Sequence, residues 1–156
     1  MPDLSAEGRT AEGRTSAALA STWLPLLREA LDREGAFRFP LRGASMRPTL
    51  PVECEIEIRP LPPKLPLGAL IVFVIGDTLI AHRLVRRSGG RWIVQGDGRL
   101  GPDRPLTPEQ VLGVVAAAYA DGRRCWPTTS SRLLAAFWIA RYWGLRPARA
   151  VRRILR

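Results

Sequence analysis

Residues 53–58 read Glu53-Cys54-Glu55-Ile56-Glu57-Ile58. A carboxylate alternates with an apolar side chain at every step, which is the period of a half-buried β-strand: Cys54, Ile56 and Ile58 share one face, and the three glutamates share the other. Upstream, the pattern changes from helical to alternating at Phe37. Downstream, Ala69 to Ile75 is continuously apolar and bounded by Gly68 and Gly76. Seven residues suit a strand buried on both faces and fall well short of the ~20 that a membrane-spanning helix needs. Thr78 to Val85, Arg91 to Gln95 and Val111 to Tyr119 are further strand candidates, separated by Gly, Asp and Pro clusters. The expected fold is therefore mainly β, a compact β domain over 36–126.

The flanks read differently. Residues 6–15 repeat Ala-Glu-Gly-Arg-Thr twice; with no apolar face to bury, 1–16 is expected to be a disordered tail. Residues 17–35 predict an amphipathic helix: Ser21 or Thr22 as cap, Pro25 in the tolerated first turn, Trp23, Leu24, Leu27 and Leu31 at helical spacing, and Gly35 as the stop. Beyond a turn at Asp121-Gly122, residues 127–156 predict a basic, aromatic helical tail. Ser131 to Leu145 holds Leu133, Leu134, Phe137, Trp138, Ile139, Tyr142 and Trp143 around Arg132 and Arg141, and Arg146 to Arg156 adds five arginines.

A chain of 156 residues, 46% of them hydrophobic, suits one domain with a real core. The formal charge of +10 does not by itself point to nucleic acid, because it is unevenly placed. Residues 1–120 carry a net +2, whereas 121–156 carry nine Arg against the single Asp121, a net +8. The tail has two readings. One is an interfacial helix, with aromatics at the acyl boundary and Arg on the phosphates of an anionic membrane surface; the other is a helix packed on its own sheet with solvated arginines. No apolar run is long enough to span a bilayer and no secretory leader is evident. With one histidine and two well-separated cysteines, Cys54 and Cys125, a four-ligand zinc site is excluded, and the two thiols are either one disulfide or two reduced, buried groups. No cofactor is implied.

Two short segments carry candidate chemistry. Gly43-Ala-Ser-Met-Arg-Pro-Thr49 sets Ser45 in a turn that Gly43 frees and Pro48 stiffens. A serine hydroxyl attacks at neutral pH only when a base within hydrogen-bond reach takes its proton. The chain has one lysine and one histidine. Lys64 lies in the proline-rich loop Leu61-Pro-Pro-Lys-Leu-Pro66, with no apolar surroundings to lower its pKa. His82, in Leu79-Ile-Ala-His-Arg-Leu-Val85, shares a strand face with Ile80 and Leu84 and is the better base.

The Ser45 segment, the strand pair His82-Arg83, Gly96-Asp97 with Asp103-Arg104 six residues on, and Val111-Leu-Gly113 together resemble the type I signal peptidases. The likeness covers about residues 37–116. It is closest to the archaeal and endoplasmic-reticulum branch, in which serine works with histidine rather than lysine. The resemblance implies Ser45 as nucleophile, His82 as general base, and Asp103 as the group that orients His82, with Met46 against the substrate and Gly43, Pro48 and Asp97 in support. It implies a polypeptide substrate, a leader or signal segment cut after small residues, and a protein held peripherally at a membrane. Asp97-Gly98 also reads as a plain turn. Gly43 stands where some family members supply a hydroxyl to the oxyanion hole, which leaves the Ser45 N–H as the main donor. Two other readings stay open: a self-cleaving repressor-type domain, which needs a lysine base and a helix-turn-helix that are missing here, and an inactive peptidase-like module whose Arg-rich tail holds anionic membrane or nucleic acid. No specific nucleic acid is expected.

Overall fold

The computed structural model describes residues 24–76 and 78–154, with side chains as far as Gly144. The expected tail over 1–16, the helix caps Ser21 and Thr22, and Trp23 lie outside the described residues.

Seven strands form one antiparallel sheet: β1 (Phe37–Arg42), β2 (Glu53–Arg59), β3 (Leu70–Ile75), β4 (Thr78–Ser88), β5 (Arg91–Gln95), β6 (Val111–Ala120) and β7 (Arg123–Trp126). Helical residues 24–34 (α1) precede the sheet, and α2 (Ser131–Ile154) follows it. The order across the sheet is β1-β2-β6-β3-β4-β5, with β7 also paired to β6. β6 thus stands between a hairpin, β1-β2, and a meander, β3-β4-β5. The mainly β reading is correct at this level.

The side-chain periods explain the two layers of the core. In β2, Cys54, Ile56 and Ile58 are buried, as the alternation predicts, and join Leu24 and Leu31 of α1, Met46, Leu50, Leu70 and Val72. The other parity of β3, Ile71 and Phe73, packs with Leu65, Leu84, Val94 and Leu106 on the opposite face. β3 therefore feeds both faces, which is why its sequence has no polar position. Arg28 of α1 ties the helix to the start of β6, donating from Nη2 to the carbonyls of Glu109 and Val111 at 2.8 and 2.6 Å.

One element lies outside the expectation, β7: Asp121 and Gly122 adopt positive φ of 49° and 71°, a tight hairpin turn that feeds four residues back onto β6. The C-terminal helix falls within the expected 127–156 and runs from Ser131 to Ile154 through Pro147. Among the described residues no helix is long and apolar enough to cross a membrane.

Candidate active site

The candidate groups come from three separate parts of the sheet. Ser45 stands in the 43–52 loop between β1 and β2; His82 is in β4; Asp97 and Asp103 lie in the stretch between β5 and β6. The Ser45 turn is held by its own backbone, with Arg47 N–H donating to Ala44 O at 3.1 Å and Leu50 N–H to Met46 O at 3.0 Å. It is propped from outside by Gly98 N–H, which donates to Ser45 O at 2.8 Å. None of these bonds uses the Ser45 N–H. Gly43 has φ +127°, a conformation that side-chain-bearing residues rarely adopt, and Pro48 follows a cis peptide bond.

His82 is 2% exposed, with its ring edge-on to Phe73 at 5.8 Å between centroids. Its Nε2 accepts from Ser45 Oγ at 3.0 Å, and its Nδ1 donates to Asp103 Oδ2. An ionised carboxylate only accepts, so Asp103 keeps the ring proton on Nδ1 and leaves the Nε2 lone pair facing the serine. Asp103 is itself placed by its N–H, which donates to Val94 O at 2.9 Å, and by a short bridge in which Trp92 and Leu106 exchange backbone bonds. The prolines beside it, Pro102 and Pro105, have no N–H to divert this ladder. Arg99, on the solvent side, lies 3.8 Å from Asp103 Oδ1.

Immediately behind this line is a second cluster, built on the buried pair Arg83 and Asp97. Arg83 donates from Nε to Asp97 Oδ1 at 2.8 Å and from Nη2 to Oδ2 at 2.6 Å, while its Nη1 donates to Gly68 O at 2.7 Å. Thr49 Oγ1 donates to the same Asp97 carboxylate. The Arg83 and Asp97 side chains are 2% and 1% exposed. Reading Asp97-Gly98 as a turn describes the backbone alone; the carboxylate supports the site, anchoring β4 and the end of the serine loop together. Arg83, Thr49 and Gly96 are the residues that sequence reasoning left without a role. Gly96 is needed because of close approach: a Cβ there would lie 2.5 Å from Ser45 O and 3.0 Å from His82 Nε2.

Ser45 and His82 open onto a cleft of about 320 Å³, whose walls include Leu41 and Ala44 on one side and Leu79 and Ile80 on the other. Met46 lines it but is 2% exposed and belongs to the core, so it meets the cleft as part of its floor. Lys64 is exposed in the 60–66 loop and is not among the cleft's residues.

No family model and no curated protein matches this chain. The site's own geometry is therefore what bears on its chemistry. Among the described residues no group of three or more His, Cys, Asp or Glu could hold a metal ion, and Cys54 and Cys125 are both free thiols. Burial raises the Cys54 thiol above its ordinary pKa, and nearby Cys125 adds to the effect.

Proposed function

We propose that this chain is a serine endopeptidase of the signal-peptidase kind, cutting a leader or signal segment from a polypeptide. The observation that carries the reading is the continuous line of hydrogen bonds from Ser45 Oγ through His82 to Asp103. A serine and a carboxylate joined to the two nitrogens of one buried imidazole have the geometry of a nucleophile, its base and the group that orients the base.

In this mechanism Ser45 Oγ attacks the scissile carbonyl while His82 Nε2 takes its proton, and Asp103 stabilises the imidazolium that forms. The Ser45 N–H, unused in the turn, stabilises the oxyanion, and Gly43 adds no side-chain donor. His82 then returns the proton to the leaving amine, and a water molecule activated by the same nitrogen hydrolyses the acyl-enzyme. Among the described residues β1 is an edge strand, paired with β2, and Leu41 near its end lines the cleft, so an extended substrate has a strand edge to lie along.

The test is intact-mass labelling with a serine-directed acylating inhibitor. A single adduct on Ser45, absent in a folded His82→Ala variant, is expected. No adduct on folded wild type would replace the peptidase reading with that of a binding module.

A further inference from the structure

The two faces of α2 have different surroundings. Its inner face is occupied: Ala135 and Ile139 close on Gly68, Tyr142 is 6% exposed, and Arg141 donates from Nη1 to Asp97 O at 3.3 Å. On the outer face Leu133 is 75% exposed and Phe137, four residues on, is 57% exposed. Ala136, Ala140 and Gly144 are exposed at the same helical spacing, so the outer stripe is apolar along three turns. An open groove of about 580 Å³ continues this surface, lined by Leu67, Ala69, Trp126, Ala136 and Ile139 among others.

The sequence on either side of the stripe is cationic. From Gly122 to the last residue the chain has nine arginines and no carboxylate side chain. Arg132 is exposed beside Leu133, and Arg86 of β4 lies over the Trp143 ring. A helix of 24 residues with an apolar stripe and cationic flanks matches a surface that is apolar inside and anionic at its boundary. Nucleic acid would use the arginines but leave Leu133 and Phe137 in water, and a neutral lipid surface would use the leucine and phenylalanine but not the charge.

We infer that the outer face of α2 is a docking site for a bilayer surface containing anionic phospholipid, with the helix lying along the headgroups rather than crossing them. This inference does not depend on the peptidase reading, since it uses none of Ser45, His82 or Asp103.

The full chain, sedimented with vesicles of phosphatidylcholine alone or mixed with phosphatidylglycerol, tests it. Binding to the mixed vesicles only, lost at high salt, is expected. Leu133→Glu with Phe137→Glu should weaken that binding at least about tenfold, with the circular dichroism spectrum unchanged. Should the glutamates impair folding, Leu133→Ser with Phe137→Ser gives the same readout. Failure to bind mixed vesicles, binding unaffected by the double substitution, or binding of duplex DNA that the substitutions leave intact would each overturn the inference.

Discussion

His82 and Arg83 are consecutive in β4 and are held by two carboxylates from a single connection, Asp103 and Asp97. Successive strand residues point to opposite faces, so one six-residue step between the two aspartates serves both sides of the strand. One side carries the Ser45, His82 and Asp103 line and the other the Arg83–Asp97 pair, and both His82 and Arg83 are buried.

Asp103→Asn tests the first of these. The amide preserves shape but also offers N–H groups to Nδ1, so the ring can adopt the tautomer that faces Ser45 with a proton. The rate of Ser45 acylation should fall by about 10³–10⁴, with the unfolding midpoint nearly unchanged, as read by inhibitor kinetics and denaturant titration.

Arg83→Met tests the second. It leaves Asp97 buried without its cation and frees Gly68 O, at an expected cost of about 3–5 kcal/mol in stability. Pairing it with Asp97→Leu removes the stranded charge, and urea unfolding of the double variant should show much of the loss recovered.

Gly96→Ala places a methyl group against Ser45 O and His82 Nε2. Both contacts are between groups fixed by hydrogen bonds, so neither can yield cheaply. Ser45 labelling should slow by tenfold or more and stability should drop by about 1–3 kcal/mol, measured on the same preparation.

Cys54 gives a pH dependence. Its raised pKa means that the folded state keeps the proton longer than the unfolded one, so stability is unaffected below the ordinary thiol range and falls as pH rises through that range toward the raised value. Urea midpoints at neutral and alkaline pH should diverge less in Cys54→Ala than in wild type. Alkylation of native protein should modify the half-buried Cys125 before the buried Cys54.

The strands with a strict local pattern were legible in the sequence. β2 alternates charge with apolar side chains, and β3 is short, apolar and closed by glycines. β7 was not, because Arg123-Arg124-Cys125-Trp126 has no alternation of its own and becomes a strand only by pairing with β6. The place of β6 between β2 and β3 is likewise non-local, set by pairings that reach from Glu55 to Tyr119 and from Ile71 to Val114. At the site, the pairing of Ser45 with His82 follows from the family resemblance and from the chain's single histidine, and the two side chains do lie 3.0 Å apart. Asp97 is expected in support from the family resemblance and as a turn from Asp-Gly, a strong local signal, but neither names its partner, since its bond to Arg83 joins residues fourteen apart. Gly96 stands in the Gly96-Asp97 motif without a stated reason for the glycine; the proximity of Ser45 and His82 explains the missing side chain.

The position of β6 also governs when the sheet is completed. The β1-β2 hairpin contains the Ser45 loop and the β3-β4-β5 meander contains His82, and the strand that pairs with both is made after them. During synthesis each half can form from neighbouring residues, and the bonds from Asp97 and Gly98 to Thr49 and Ser45 already lie within that stretch. The pairing of β6 is the long-range step, the slow kind of event in β-sheet folding. A nascent chain ending before Val111 therefore holds the side chains of the Ser45, His82 and Asp103 line but not the strand that sets the two halves of the sheet side by side.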